Sequence, residues 1–160
     1  MTLRKLTDAD VLPMLDLLTN DIIKQTYMLP DFEAKSDAIP LFRRLMQLSQ
    51  DDAHFVRGIC PGDTLIGFLN DVEIQNGTIE VGYVIHPAHW NRGYATAALK
   101  EAISQLFDLG YEEVTAGAFS ENPASTRVME KAGMTLLEKT DQIEYRGRSH
   151  TCIYYSITQC

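Results

Sequence analysis

The residues best placed to do chemistry lie in one polar segment, residues 85–96, which reads IHPAHWNRGYAT. Pro87 ends a strand-like run, and Gly93 opens directly into a long amphipathic pattern. Such a loop directs free backbone N–H groups and the positive end of a helix dipole at one point, which suits a phosphate or pyrophosphate. Arg92 adds a cation and Thr96 adds a hydroxyl in the first helical turn. The segment therefore predicts an anion-binding loop.

Small residues in this loop strengthen the prediction. A bulky side chain at Gly93 or Ala95 is expected to block the approach of an anion to the backbone. The alternative is that the glycine serves only the turn. The Walker pattern GxxxxGK[ST] and an early GxGxxG are both missing from the sequence, which disfavours nucleotide hydrolysis and dinucleotide binding.

Two blocks of the sequence carry a family resemblance. The first consists of EVGYVIHP at 80–87 and WNRGYAT at 90–96, and the second of NPAS at 122–125 and RVMEKAGM at 127–134. Together they resemble the acetyl-CoA-binding motif of the GCN5-related N-acetyltransferases (GNAT), most of all the branch containing the ribosomal-protein N-terminal acetyltransferases. The resemblance implies one N-acetyltransferase domain over residues 1–160. It also implies direct transfer of acetyl from acetyl-CoA to a primary amine in a ternary complex, with no metal.

The resemblance also assigns residues to the acetyl-CoA site. The expected contacts are Val84, Ile85, His86, Asn91, Arg92, Gly93, Tyr94, Ala95, Thr96, Asn122 and Ser125. The sequence departs from the family at two positions. Trp90 stands where the general pattern has Gln or Arg, and Met129 stands where many relatives place a Tyr that protonates the leaving thiolate.

Acetyl transfer to an amine needs a neutral amine, a polarised carbonyl and a proton for the departing sulfur. The resemblance makes Glu80 the expected base and acceptor contact, because relatives often carry a carboxylate there that acts through water. Glu73 is a weaker alternative, and a purely structural, outward-facing Glu80 is equally open. The resemblance also makes Ser125 the expected proton donor, because the branch pattern places a hydroxyl at this position. The alternative for Ser125 and Asn122 is helix capping, with Asn122 at the N-cap, Pro123 at N1 and Ser125 at N3.

The free energy needed to deprotonate the amine narrows the choice of acceptor. Holding a lysine-type amine neutral at pH 7 costs ~4.6 kcal/mol, whereas an α-amine costs only about 1 kcal/mol. A protein N-terminal α-amine is therefore favoured. A small-molecule amine (amino acid, polyamine or drug-like) and, because of Met129, a non-catalytic CoA-binding sensor remain alternatives. Tyr27, Met28 and Phe32, in an apolar connector, are expected to line the acceptor pocket together with residues 141–150.

The composition of the chain limits which partners and which cellular compartment are expected. The 14 Lys and Arg against 22 Asp and Glu give a net charge of −8, which disfavours nucleic acid as a partner. Three sparse cysteines favour a reducing compartment over disulfides. Neither a leader-like nor a membrane-spanning apolar run occurs, so the cytoplasm is expected. His86 and His89 lack a third ligand at metal spacing. A monomer or a homodimer is expected, the latter by edge pairing of a final strand that ends at Cys160.

The order of hydrophobic patterns predicts an α/β (α+β) fold with a mixed, mainly antiparallel sheet flanked by about four helices. Strands are expected at 3–6, 54–59, 64–71, 78–86, 113–118, 134–139 and 151–158, and helices after Thr7 and at 36–50, 95–109 and 123–132. Asn76-Gly77 predicts a tight hairpin, since both positions of a type I′ turn need positive φ. Pro13 is expected to kink the first helix.

Overall fold

A computed structural model describes residues 1–160. It contains seven strands and four α-helices, together with short 3₁₀ turns. The strands are β1 (Thr2–Arg4), β2 (Val56–Cys60), β3 (Gly67–Gln75), β4 (Thr78–Ile85), β5 (Glu113–Phe119), β6 (Thr135–Tyr145) and β7 (Arg148–Thr158). The helices are α1 (Val11–Leu18), α2 (Ile39–Gln50), α3 (Tyr94–Asp108) and α4 (Pro123–Lys131).

All seven strands form one sheet in the order β1-β2-β3-β4-β5-β7-β6. Only the β4–β5 pair is parallel, and every other neighbouring pair is antiparallel. The predicted fold class, a mixed and mainly antiparallel sheet with four helices, is thus confirmed. The expected edge pairing of the final strand is wrong, because β7 lies between β5 and β6 and has both of its edges occupied.

The helices cover the two faces of the sheet. The first face packs against α3 and α4, through side chains such as Leu99, Leu106 and Met129. The second face packs against α1 and α2, through side chains such as Met14, Leu18 and Phe42. Since side chains alternate along a strand, neighbouring residues of β4 and β5 face different helical layers. None of the four helices is long and apolar enough to cross a membrane.

Local backbone preferences explain several turns. Asn76 and Gly77 both have positive φ, 51° and 83°, which confirms the tight hairpin between β3 and β4. Gly110 follows α3 with φ of 102°, a conformation that favours glycine. Pro13 lies in the first turn of α1, where the missing N–H leaves no intrahelical bond unmade.

Several predicted boundaries are wrong. The first strand ends at Arg4, and Leu6 packs in the core beneath α1 and α2. The pair β3 and β4 extends to the Asn76 turn, so β3 runs well past residue 71. Residues 141–150, which lie between the strands expected at 134–139 and 151–158, mostly belong to the long strands β6 and β7, which turn only at Arg146-Gly147. The two strands were predicted, but their extensions toward the turn were missed, because exposed residues there interrupt the apolar alternation on which the sequence prediction relied.

Candidate functional site

The sheet opens between β4 and β5. The two strands pair in parallel from Thr78 with Glu113 to Val81 with Ala116. Beyond that point β4 continues to Ile85 and β5 to Phe119, with no further pairing between them. The result is a gap, defined by residues 82–85 of β4 and 117–119 of β5, that interrupts an otherwise continuous sheet.

The backbone of β4 presents hydrogen-bonding groups to this gap. Antiparallel pairing alternates inward and outward backbone groups, and the His86 N–H donates to the Ile66 carbonyl on the β3 side at 2.8 Å. The even-numbered residues therefore face β3, and Tyr83 and Ile85 face the gap. Of the expected contacts, Ile85 thus directs its backbone into the gap, while Val84 directs its backbone to β3. The gap can accept an extended chain that carries amides, as a further strand does.

The loop predicted to bind an anion lies at the open end of the gap. Gly93 is the N-cap of the fifteen-residue helix α3, with φ of 78°, and Asn91 has φ of 62°. A Cβ at Gly93 meets no protein atom within 4 Å, so glycine is required by its φ and not by crowding within the protein. Asn91, Arg92 and Gly93 are exposed, and the first N–H groups of α3 carry the positive end of the helix dipole.

The remaining loop residues pack more deeply. Tyr94 and Ala95 contact the core beneath α3, and the Tyr94 ring centroid lies 6.4 Å from that of His89. Thr96 is half-buried in the first turn of the helix. The sequence-predicted anion site is therefore assembled in one place, with polar groups outward and aromatic and small side chains holding the helix to the sheet.

Trp90 fastens the loop to the end of β4. Its indole Nε1 donates a hydrogen bond to the Ile85 carbonyl oxygen at 2.7 Å, while the residue stays 45% exposed. This contact occupies one of the acceptors that β4 turns toward the gap. It also gives a role to the tryptophan that departs from the family pattern.

His86 joins the same loop to α1. Its Nδ1 accepts a hydrogen bond from the Ala88 N–H at 3.1 Å, which leaves the proton on Nε2, and Nε2 lies 2.9 Å from Asp16 Oδ2. Lys35 reaches the other Asp16 oxygen at 3.2 Å. Both ring nitrogens of His86 therefore have partners within the protein, and the residue links the loop to α1.

The start of α4 approaches the gap from the first face of the sheet. Asn122 caps the helix, with its Oδ1 accepting the Ser125 N–H at 3.4 Å. The Ser125 hydroxyl lies 2.9 Å from the Tyr83 hydroxyl of β4. Met129, at the position where relatives have a tyrosine, is fully buried in the core. The capping role of Asn122 is confirmed, and Ser125 has a polar partner that the sequence did not indicate.

Glu80 lies on the second face of the sheet, one residue before the last β4–β5 pair. It is half-buried, and Glu73 faces it across the β3–β4 pair. Burial raises the pKa of the Glu80 carboxyl, Lys139 opposes that effect, and Glu73 and Asp141 add to it. A carboxylate with a raised pKa, placed beside an opening in the sheet, is suited to general-base chemistry.

The connector between α1 and α2 covers the sheet beside Glu80. The Tyr27 hydroxyl donates to Asn70 Oδ1, and a Cβ at Gly82 would lie 3.3 Å from the Tyr27 ring. Gly82 and Glu80 share a face of β4, so Tyr27 lies on the same side as the carboxylate. Met28 is 50% exposed, and Phe32 packs against the core beneath α1 and α2.

The tip of the β6–β7 hairpin holds this connector in place. The Tyr145 hydroxyl donates to the Lys24 carbonyl at 2.6 Å and accepts the Leu29 N–H at 3.3 Å. Arg146 Nη2 lies 3.6 Å from Asp31 Oδ1, an atom that Lys24 Nζ also approaches to 3.4 Å. The two segments expected to line an acceptor pocket, the connector and residues 141–150, therefore contact each other.

Sequence reasoning missed Tyr83, Asn70 and Tyr145. Each makes its contact with a residue far away in the chain, 42 positions in the case of Tyr83 and 121 in the case of Tyr145. Tyr83 stands inside the first motif block, and that position was the one signal that could have indicated it. Asn70 and Tyr145 carry no local signal.

Comparison with known proteins adds independent findings. A family model described as an acetyltransferase (GNAT) domain matches residues 1–135. An uncharacterized N-acetyltransferase of Bacillus subtilis strain 168, YoaA, is 29% identical over 165 residues, which cover 99% of this chain and 93% of the relative.

Two solved structures have the same fold. Spermidine N-acetyltransferase from Vibrio cholerae, in complex with CoA and spermine, superposes with a TM-score of 0.83 at 21% identity and covers 99% of this chain and 95% of its own. RimL, a ribosomal L7/L12 α-N-protein acetyltransferase in complex with coenzyme A, superposes with a TM-score of 0.86 at 20% identity and covers 98% and 92%. The GNAT-like fold predicted from the sequence is confirmed.

Proposed function

The chain belongs to the GNAT acetyltransferase family, and we propose that it transfers the acetyl group of acetyl-CoA to a primary amine, with a protein N-terminal α-amine as the favoured acceptor. The observation that carries the proposal is the gap between β4 and β5, which opens beside the N-terminus of α3. The gap can hold an extended amide-bearing arm, and the helix end can hold the phosphates at its mouth.

The groups along the gap fit acetyl-CoA in order. The exposed loop at Asn91, Arg92 and Gly93 offers backbone N–H groups and a cation to the pyrophosphate. The backbone of Tyr83 and the Ile85 N–H face the gap, where they can bind the amides of the pantetheine arm. Acetyl-CoA supplies a thioester carbonyl that an amine can attack. In this proposal the reacting centre lies at the closed end of the gap, next to Val81 and Ala116, the last paired residues of β4 and β5.

The general base in this proposal is Glu80. It lies next to the closed end of the gap, on the face covered by the connector, so an amine that enters from this side meets the carboxylate. Its raised pKa makes it a better proton acceptor than an exposed glutamate. We infer that Glu80 acts through a water molecule.

Ser125 is the proton donor for the departing sulfur in this proposal. It belongs to α4, on the face of the sheet opposite the connector, and its hydroxyl contacts Tyr83 of β4. Base and acid thus approach the gap from opposite faces of the sheet, which separates the attacking amine from the leaving thiol. Helix capping by Asn122 engages the Ser125 N–H and leaves the Ser125 hydroxyl available for chemistry.

A second candidate acceptor, a polyamine, is favoured by the charge around Glu80. Glu73 and Asp141 stand close enough to raise the pKa of Glu80, and Lys139 is the cation that offsets them. Several carboxylates near one entrance attract a polycation, and the net charge of −8 acts in the same direction. The spermidine acetyltransferase and RimL are both of this fold, so the fold leaves the acceptor open.

Ligand-dependent melting tests the co-substrate. A ligand present at about 100 times its Kd stabilises the folded state by ~2.7 kcal/mol, which for a domain of this size raises Tm by roughly 5–10 °C. We expect this shift with acetyl-CoA and CoA and none with ATP or NADH. The absence of a shift with either form of CoA would refute the proposal.

An acceptor panel tests the rest of the function. Release of CoA thiol is measured with peptides that differ in their N-terminal residue, with N-acetylated peptides as blanks, and with spermidine and free amino acids. We expect turnover with unblocked peptides, and Glu80→Gln should lower kcat by about 100-fold. The matched control is Glu138→Gln, an exposed glutamate of β6, which should leave kcat unchanged. Faster turnover of spermidine than of the unblocked peptides would instead support a polyamine as the acceptor.

A further inference from the structure

The hydroxyl groups of Tyr83 and Ser125 form a hydrogen bond between β4 and the start of α4, beside the gap. Tyr83, on β4, places its hydroxyl 2.9 Å from Ser125 Oγ and 3.2 Å from the Ser125 carbonyl oxygen, at the start of α4. The Tyr83 ring packs against the core between the sheet and α3 and α4. The Ser125 N–H is already held by Asn122. Every polar group of Ser125 therefore has a defined partner, and its hydroxyl has one next to the gap.

The geometry allows two hydrogen-bond patterns. The single Tyr83 proton can go to Ser125 Oγ or to the Ser125 carbonyl oxygen, and the shorter distance is the one to Oγ. When Tyr83 donates to Oγ, the serine proton is free to point elsewhere, because a hydroxyl has one donor and two acceptor sites. No other protein group accepts a hydrogen bond from the Ser125 hydroxyl, so its proton is available to a group bound in the gap. Tyr83 thus fixes the orientation that a proton donor needs.

The acidity of the two hydroxyls also differs. An aliphatic alcohol is a far weaker acid than a thiol, whose pKa is about 8.5, so a serine hydroxyl alone is a poor proton donor to a thiolate. A phenol has a pKa of about 10, and burial raises the pKa of Tyr83 to about 12, with the bond to Ser125 opposing that rise. The phenol of Tyr83 therefore releases a proton far more readily than the serine alcohol alone.

We propose that Tyr83 is a positioning residue that orients the Ser125 hydroxyl toward the leaving sulfur and restores its proton as it is given up. This inference rests on the proposed function. In the step, the amine nitrogen bonds to the acetyl carbon, and its proton passes through water to Glu80. The carbon–sulfur bond breaks, the sulfur takes the Ser125 proton, and Ser125 takes the Tyr83 proton. Tyr83 regains a proton from solvent after release of CoA.

The test compares Tyr83→Phe, Ser125→Ala and the double variant, with Tyr155→Phe as the control. Tyr155 packs in the same core as Tyr83 and makes no side-chain hydrogen bond to another residue, so its hydroxyl should be dispensable. Acetyl-CoA affinity is measured by fluorescence of Trp90, the only tryptophan in the chain, and Tm by melting. The turnover number is measured in mixtures of H₂O and D₂O, which reports how many protons move in the chemical step.

The expected results distinguish proton transfer through Tyr83 from a purely structural contact between Tyr83 and Ser125. Ser125→Ala should lower kcat about 100-fold and Tyr83→Phe at least tenfold, both with an acetyl-CoA Kd within about twofold of wild type. Tyr83→Phe should add no further loss to Ser125→Ala, because the two act in series. Wild-type rates should curve with the deuterium fraction more strongly than those of Tyr83→Phe, because transfer from Tyr83 adds one moving proton.

Other outcomes overturn specific parts of the scheme. If the losses of the single variants multiply in the double variant, or if the rates of wild type and Tyr83→Phe depend on the deuterium fraction in the same way, Tyr83 only holds β4 and α4 together and transfers no proton. If Ser125→Ala turns over at the wild-type rate, proton transfer through Tyr83 and the proposed acid are both wrong, although acetyl-CoA binding persists. If the wild-type protein does not bind acetyl-CoA, the proposed function itself fails.

Discussion

Replacing Gly93 with alanine isolates what the left-handed backbone at the start of α3 contributes. Gly93 has φ of 78° and ψ of 7°, and an added Cβ meets no protein atom within 4 Å. The cost of the change is therefore conformational: about 1–2 kcal/mol for an L-residue in this region, reduced by roughly 0.4–1 kcal/mol because alanine restricts the unfolded chain. We expect a net loss of about 1 kcal/mol.

The matched control is Gly62→Ala. Gly62, between β2 and β3, also has no atom within 4 Å of an added Cβ, but its φ is not positive. We expect this variant to be neutral or slightly stabilised, by up to about 1 kcal/mol. The two alanines then differ by about 1–2 kcal/mol, which for a chain of this size separates their Tm values by roughly 2–8 °C. Gly93→Asn should lie between them, because asparagine tolerates positive φ better than alanine.

Ligand binding tests whether this backbone conformation matters for acetyl-CoA. If the loop of Gly93→Ala relaxes to avoid strain, binding must restore it, and about 1 kcal/mol weakens Kd by up to about fivefold. Calorimetric melting and fluorescence titration of Trp90 measure both quantities. Equal Tm values for Gly93→Ala and Gly62→Ala would refute the reasoning, as would a loss at Gly93 far above 2 kcal/mol, which only a clash could produce.

Three further predictions concern Glu80, Trp90 and Tyr145. The pKa of Glu80 is raised in the folded state, so the folded protein loses stability as pH rises through the unfolded-state pKa and then the folded-state pKa. Glu80→Gln should therefore have a higher Tm than wild type at pH 7 but not at pH 4. An equal difference in Tm at both pH values would contradict this. Trp90→Phe removes the indole bond to Ile85, and melting should show a loss of about 1 kcal/mol; an unchanged Tm would mean that this bond adds nothing. Tyr145→Phe frees the connector from the hairpin, so the acceptor KM should rise and connector amides should exchange faster while acetyl-CoA Kd is unchanged; unchanged exchange would show that the hairpin does not hold the connector.

The sequence could predict features that depend on a few neighbouring residues. The stripe of apolar residues in α3, the positive φ of Asn76 and Gly77, and the glycine at the start of α3 all follow from local sterics and periodicity. The N-cap at Asn122 is of the same kind. These features were enough to indicate a loop that could bind phosphate and the family to which the chain is similar.

The boundaries of the last two strands show where local reasoning fails. Residues of β6 are mostly exposed, so they lack the apolar alternation that identifies a strand. Their strand conformation is stabilised by the ladder with β7, and the register of that ladder shifts between Leu136 and Thr140. A pairing partner that lies later in the chain cannot be identified from the pattern of one segment.

By itself, the sequence determined the class of the fold, and it predicted an anion-binding loop and the candidate pair Glu80 and Ser125. Only the tertiary structure decided that β4 and β5 separate after Val81, that Glu80 and Ser125 approach the opening from opposite faces, and that Tyr83 contacts Ser125. The physical reason is the range of the interactions. Helices and turns are fixed by backbone sterics within a few residues, whereas strand order, strand separation and contacts across the sheet depend on how the whole chain buries its apolar surface.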